Sequence, residues 1–166
     1  MRLTVSGTHG VGKSTLVADL ARALPGHVAC PEPYLLLLDE GHAFADPPSL
    51  EDYEAQLERS LQSLGEVRGD AVFERSPADF LAYATAAWAA DFDVGPWLPR
   101  VRAALATLDL VVYIPLVTAS RGLRRSVDDQ LMEILVHDVH GLGARVVEVA
   151  GTPDERTRAV LAALEG

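Results

Sequence analysis

Gly7 to Ser14, read as GTHGVGKS, stands directly behind the apolar run Leu3 to Val5 and ahead of apolar residues at helical spacing, Leu16, Val17, Leu20 and Leu24. A short buried strand, a glycine-rich turn and a helix in that order leave the chain few choices. Gly7, Gly10 and Gly12 permit a tight loop, and its backbone N–H groups converge with the positive end of the following helix on a site suited to an anion. Lys13 can reach the oxygens of β- and γ-phosphates, and the Ser14 hydroxyl can ligate Mg²⁺. The expected nucleotide-binding residues are therefore Gly7, Thr8, His9, Gly10, Val11, Gly12, Lys13, Ser14 and Thr15, with His9 at a free position of the pattern. The competing explanation is a glycine-rich turn that binds nothing.

Composition sharpens this reading at one position. The chain has thirteen arginines, a single lysine and no asparagine. A coding bias toward arginine accounts for most basic positions and makes Lys13 the informative exception. A phosphate loop needs a compact ammonium on a flexible stem, which a planar guanidinium replaces poorly. The net charge of −10 argues against a broad nucleic-acid surface, which runs on clustered Lys and Arg. No positively charged leader precedes an apolar segment, and no apolar run approaches the roughly 20 residues that span a bilayer. A cytoplasmic protein without nucleic-acid or membrane partners is the expectation. The five histidines lack metal-ligand spacing, and Cys30 reads as a small buried residue.

Apolar strands alternate with helices along the rest of the chain. Strands are expected at 3–5, 27–30, 71–74, 110–114 and 145–149. Helices are expected from Ser14, from Ser49 through the face Leu50, Tyr53, Leu57, Leu61 and Leu64, from Ser76 to about 90, from 96 to 108, from 127 to 140, and after the cap Thr152, Pro153 and Glu155. The stretch DEGHAFADPP reads as a loop. At 166 residues this is one α/β domain over 1–166, a five-stranded parallel sheet with helices on both faces joined by right-handed crossovers. Ligands of such sheets bind outside the carboxyl ends of the strands. That rule selects Glu32 in PEP after the second strand, and Glu74 with Arg75 in ERSP after the third. The fourth strand exits into Pro115 without an acid, so Glu74 is the better metal-side carboxylate. The bland alternatives are a solvated turn carboxylate for Glu32 and a surface ion pair for Glu74 and Arg75.

Taken together, the loop, the E-P after strand two and the E-R-S after strand three resemble the deoxynucleoside kinase group of P-loop kinases. The longer pattern PEPYLLLLDEGHAFADPPSLEDYEAQLERSL with ERSPADFLAYA is similar to a bacterial family of small ATP-binding proteins related to nicotinamide riboside kinase domains. The resemblance implies the three-layer P-loop NTPase fold. It implies that Glu32 is the base toward an acceptor hydroxyl, that Glu74 assists Mg²⁺ beside Ser14, and that Arg75 lies near the acceptor oxygen and donor phosphate. Where those kinases place an aromatic residue after E-P, this chain has YLLLL. Tyr34, Leu36, Phe44, Tyr53, Phe80, Tyr83, Trp88 and Trp97 are candidates for an acceptor pocket, although aromatics at helical spacing are more often core. Gln56 is either a reader of a base edge or part of a solvated face.

After the fourth strand, SRGLRRSVDD occupies the place where P-loop kinases carry a lid. Arg121, Arg124 and Arg125 would close on the phosphates, with Arg121 and Arg125 acting in the chemistry and Arg121 and Arg124 holding the nucleotide. Closure excludes water and favours transfer over hydrolysis. The alternative is an exposed helix start neutralised by Asp128 and Asp129. The function expected is ATP-dependent phosphoryl transfer to a small acceptor, nucleoside- or nucleotide-like by resemblance, with a homodimer left open. The alternative function is a regulatory ATP-binding switch or ATPase that acts through a partner protein. A GTPase is disfavoured, since an N-K-x-D guanine reader needs asparagine.

Overall fold

The apolar run behind the glycine-rich loop forms the middle strand of the sheet. In the computed structural model, which describes residues 1–117 and 120–166, β1 (Arg2–Ser6) lies between β3 (Ala71–Glu74) and β4 (Leu110–Tyr113). β2 (Val28–Cys30) and β5 (Val146–Glu148) form the edges, giving the order β2-β3-β1-β4-β5 with every pair parallel. Register aligns the strand ends that matter: Val5 is opposite Glu74, and Ser6 is opposite Tyr113. The functional groups therefore leave the sheet at one level.

Side chains of β4 alternate between two cores, as the pleat requires. Leu110, Val112 and Ile114 join Leu16, Val17 and Leu20 of α1 (Lys13–Ala23) and Val160 of α7 (Pro153–Glu165). Val111 and Tyr113 face Leu57 of α3 (Leu50–Glu66), Phe80 and Leu81 of α4 (Pro77–Trp88), Val101 and Leu105 of α5 (Leu98–Leu105), and Val127 and Leu131 of α6 (Leu123–Leu131). The result is three layers, a parallel sheet with helices on both faces. Burying a large aliphatic side chain in either core contributes about 1.5–3 kcal/mol.

Local signals place most helix ends. Ser49 and Asp52 form a capping box at the start of α3, and Thr152 and Glu155 form another at α7. Two segments differ from expectation. Residues of the YLLLL stretch form a short helix, α2 (Pro33–Asp39), entered through Pro33 at its first turn; its four consecutive leucines hide the helical period. The helix expected over 127–140 begins earlier, at Leu123, and widens into a π-helical turn over Met132–Val136, with the His137 N–H donating to the Met132 carbonyl. Among the described residues, no helix is long and apolar enough to cross a membrane.

Candidate functional site

The loop between β1 and α1 takes its shape from two close approaches. A side chain on Gly7 would lie 2.7 Å from the Ile114 carbonyl, and one on Gly12, at φ 98°, would lie 2.9 Å from an Arg156 nitrogen. The backbone carbonyl shuts out a side chain at Gly7, whereas at Gly12 the Arg156 tip could move and the left-handed φ is what favours glycine. Lys13 is buried at the start of α1, where its ammonium donates to the Thr8 carbonyl at 2.8 Å. Burial, followed by the nearby Arg75 charge, lowers its pKa to about 8. Asp79, Glu74 and Glu32 offset only part of that effect, and an anion over the loop would stabilise the ammonium further.

Beside it, the Ser14 hydroxyl donates to Glu74 Oε1 at 2.7 Å. The expected metal-side pair is thus assembled, one oxygen from the helix start and one from the end of β3. Among the described residues no group of three or more His, Cys, Asp or Glu side chains is placed to hold a metal ion by itself. Two hard oxygens suit Mg²⁺, which usually keeps water and phosphate oxygens as its remaining ligands. On this ground Ser14 and Glu74 fit the ion.

The third strand end turns sharply. Arg75 adopts φ 69°, a left-handed conformation unusual for a bulky residue and of order 1–3 kcal/mol in cost, while its N–H donates to the Val5 carbonyl at 2.9 Å. The turn directs the guanidinium back under the loop. Arg75 Nε donates to Glu32 Oε2 at 2.7 Å, and Nη1 lies 3.3 Å from the Gly7 carbonyl and 3.5 Å from Asp79 Oδ1. The Tyr83 ring lies beneath the guanidinium at 5.3 Å, and the Tyr83 hydroxyl accepts from the His9 N–H at 3.2 Å.

Asp79 holds this corner together, and the sequence reading missed it. It is fully buried and accepts from the N–H groups of Gly7 (3.1 Å) and Ser76 (2.9 Å) and from the Ser76 hydroxyl (3.1 Å). The Ser76 hydroxyl in turn accepts from Ser6 at 2.9 Å, tying β1 to the start of α4. A signal was present, since Ser76-Pro77-Ala78-Asp79 has the spacing of a helix cap with an acid at its third position. Arg156 was missed as well: its Nη1 donates to the Val11 carbonyl at 2.6 Å across 145 residues, a contact with no local signature.

The lid arginines divide. Arg124 places Nη2 beside Gly10, and with Arg156 it lines a cavity of about 130 Å³ over Val11, Pro115 and Leu116. Arg121 and Arg125 are exposed and line no cavity at the loop. Arg125 turns instead to Asp129 of its own helix at 3.0 Å, which is the arrangement of a neutralised helix start. Asp128 points inward, accepting from the Tyr113 hydroxyl at 2.8 Å and the Leu116 N–H at 3.0 Å. It anchors α6 to the end of β4.

Two further cavities meet at Glu32. One, about 280 Å³, lies over Gly10, Gly12, Lys13, Ser14, Thr15 and Glu74; the other, about 370 Å³, runs past Tyr34, Tyr53, Gln56, Phe80 and Tyr83. His9, Glu32 and Arg75 line both. Of the expected pocket residues, Tyr34, Tyr53, Phe80 and Tyr83 are on this wall, while Leu36, Phe44, Trp88 and Trp97 are not; the Phe44 ring packs against Tyr34 at 4.5 Å. Gln56 is buried at the cavity rather than on a solvated face. A larger space of about 610 Å³ between α1 and α7 is lined by Asp19, Arg22, Asp154 and Arg158 and touches none of these residues.

The sequence model of a family described as an AAA domain matches residues 2–156. The chain belongs to this family. No curated protein matches it. Among solved structures, this AAA domain is similar to NadR in complex with NR (22% identity, TM-score 0.69), covering 97% of this chain and 48% of that one. It therefore spans about half the length of the NadR chain. It is also similar to deoxyadenosine kinase from M. mycoides with bound dATP (14% identity, TM-score 0.69, all of both chains) and to shikimate kinase from Aquifex aeolicus (17% identity, TM-score 0.66, 100% of this chain and 97% of that one). At these identities the likeness establishes the fold of the AAA domain, that of P-loop kinases.

Proposed function

We propose that the protein is a phosphotransferase that moves the γ-phosphoryl group of Mg·ATP to a hydroxyl of a small acceptor. The observation that carries the proposal is the junction: Glu32 and Arg75 line both the cavity over the glycine-rich loop and the aromatic-walled cavity beside it. A donor phosphate in the first and a hydroxyl in the second would meet at a carboxylate and a guanidinium.

The roles follow from chemistry and position. Main-chain N–H groups of residues 10–14 and the Lys13 ammonium hold the phosphate oxygens, with the α1 dipole in support. Ser14 and Glu74 would hold Mg²⁺, which when bound neutralises phosphate charge. Glu32 orients the acceptor hydroxyl and takes its proton as the acceptor oxygen bonds to the γ-phosphorus and the bond to the ADP oxygen breaks. Arg75, fixed by Asp79 and the Gly7 carbonyl, keeps Glu32 at the junction and offsets charge on the transferred group. Arg124 and Arg156 cover the outer side of the loop, where they would contact the rest of the nucleotide. The intracellular supply of ATP suits a cytoplasmic protein.

The test is transfer from γ-labelled ATP with Mg²⁺ to a panel of small alcohols, nucleosides and nucleotides, in wild type and Glu32→Gln. The expected result is a 10²- to 10⁴-fold lower transfer rate in the variant, with stabilisation by Mg·ATP retained. Equal turnover would reject Glu32 as the base. Partner-dependent ATP hydrolysis without a phosphorylated product would instead support a regulatory switch.

A further inference from the structure

β5 is the sheet edge opposite the one that leads into Glu32, and no strand pairs with its outer side among the described residues. Which of its peptide groups are free follows from the ladder. The Val111 N–H donates to the Arg145 carbonyl at 2.8 Å and the Val149 N–H to the Tyr113 carbonyl at 2.9 Å, with Val112 opposite Val147. In a parallel pair alternate residues turn both N–H and C=O toward the neighbouring strand, so Arg145, Val147 and Val149 face β4. Val146 and Glu148 therefore direct their N–H and C=O groups outward. Unpaired groups of this kind are a template for one more strand.

A recess of about 370 Å³ runs along the same stretch, with Val146 and Glu148 on one side and Leu135, Val136 and Ala144 on the other. Its far wall is fixed. After the π-helical turn at Met132–Val136 the chain reverses at Asp138, φ 49°, whose carboxylate accepts from the Leu142 and Gly143 N–H groups at 2.6 and 3.1 Å. Arg102 of α5 pins the reversal by donating to the Gly141 and His140 carbonyls at 2.8 and 3.0 Å. The doubling-back leaves Val136, on the wall, 44% exposed and Val139, three residues on, 54% exposed. An apolar recess thus stands beside a row of free backbone donors and acceptors.

Charge decides between occupants. Asp138 and Glu148 are the charged groups lining the recess, and no arginine or lysine lines it. A second copy of this chain, pairing its own β5 edge across a two-fold axis, would bring these carboxylates onto their equivalents, with a net charge of −10 on each copy. A carboxylate that only guarded the edge against other strands would need no apolar recess beside it. The arrangement is complementary to a strand that is apolar and basic on one face.

We infer that the β5 edge is a docking site for an extended segment of a basic partner protein, which adds a strand to the sheet, seats an apolar side chain in the recess and sets a lysine or arginine against Glu148 and Asp138. The pleat fixes the pattern: residues two apart share a face, so the apolar residue beside Val146 has its basic neighbour two positions away, beside Glu148. This docking is independent of the phosphotransfer reading.

The probe is an acetylated heptapeptide amide with lysine at both ends, isoleucine at the third and fifth positions and threonine between, so that its apolar and basic face reads alike in either strand direction. Two controls replace the lysines by glutamate or N-methylate the central peptide bonds, which removes strand donors. Each is titrated into the full chain and followed by backbone amide chemical shifts, in wild type and in Glu148→Lys, a change at an exposed position that leaves both cores intact. The expected result is saturable shifts centred on Val136, Ala144, Val146 and Glu148, with the lysine peptide about fivefold tighter than the glutamate one, the scale of a rim ion pair. The N-methylated peptide should not bind, and Glu148→Lys should reverse the order of the two charged peptides. No saturable shift at millimolar peptide, equal binding of the glutamate or N-methylated form, or an order unchanged in Glu148→Lys would overturn the inference. So would self-association of the wild-type chain that Glu148→Lys abolishes in sedimentation, since that would give the edge to a second copy.

Discussion

On the β3 side of the glycine-rich loop the ionic groups are already paired, whereas on the α6 and α7 side two guanidinium nitrogens are buried with no partner among the described residues. Arg75, Glu32, Asp79, Ser76 and Gly7 form one connected set, with distances from 2.7 to 3.5 Å. Across the loop, the Nε atoms of Arg124 and Arg156 have no partner among the described residues. The first flank is organised before any ligand binds, and the second is completed only by what it binds. Under the proposed phosphotransfer this division would be useful: a rigid wall would fix the acceptor hydroxyl, while a looser wall would admit and release the nucleotide.

Lys13 belongs to neither flank and gives the largest test of the comparison. Replacement Lys13→Ala should lower transfer by about 10²- to 10³-fold, the scale of losing one preorganised donor to developing charge. Because burial disfavours its ammonium, the same change should leave thermal stability equal or higher. A melting temperature that falls together with activity would mean that Lys13 is a structural residue, and the contrast between the flanks would lose its centre.

The paired flank is tested by Asp79→Ala. This removes the acceptor for two backbone N–H groups and one hydroxyl and strips Arg75 of a buried counter-charge. The expected loss is about 3 kcal/mol, or roughly 6–12 °C in Tm for a chain of this size. A Tm within about 2 °C of wild type would show that the network is not what holds the loop to α4.

How much of this was legible depended on whether the signal was local. The loop residues, Ser14 with Glu74, and Glu32 with Arg75 were readable because the strand-end rule and the fixed spacing of the motif operate within a few residues. The five strands were readable for the same reason, each being a short apolar run between turns. Arg156 was not, since its contact with Val11 exists only once α7 packs on α1. Gln56 stayed between two readings because its side chain interrupts the apolar face of α3, and whether a polar residue there is solvated or buried is decided only once the cavity is seen. The lid was half legible: the arginine cluster lay where expected, but which side chain turns inward is decided by competition with Asp129, which no spacing rule resolves.

Proton linkage offers a finer probe of the same division. With a pKa of about 8 in the empty loop, Lys13 loses its proton as pH rises through 8. Phosphate oxygens favour the ammonium, so the complex holds a higher pKa than the free protein. Affinity for Mg·ATP should therefore be flat below about pH 7.5 and fall toward tenfold per unit above 8. Calorimetry at pH 8.5 in two buffers of different ionisation enthalpy should report proton uptake on binding. An affinity unchanged from pH 7 to 9.5 would place Lys13 outside the phosphate contacts.

The smallest expected effect separates two neighbours within the unpaired flank. Arg124 lies over Gly10 with a buried nitrogen lacking a partner, so Arg124→Ala should weaken Mg·ATP binding by about tenfold, the value of one charge-assisted contact. Arg125 spends its guanidinium on Asp129 at 3.0 Å, about half exposed, and such surface pairs contribute about 0–1 kcal/mol. Arg125→Ala should change nucleotide affinity and transfer by less than about twofold. Should Arg125→Ala instead prove the more damaging, α6 must turn when nucleotide binds, releasing Arg125 from Asp129 and carrying it to the phosphates. The single variant Asp129→Ala would then test that movement, because freeing Arg125 in advance would raise affinity only if the side chain makes that journey.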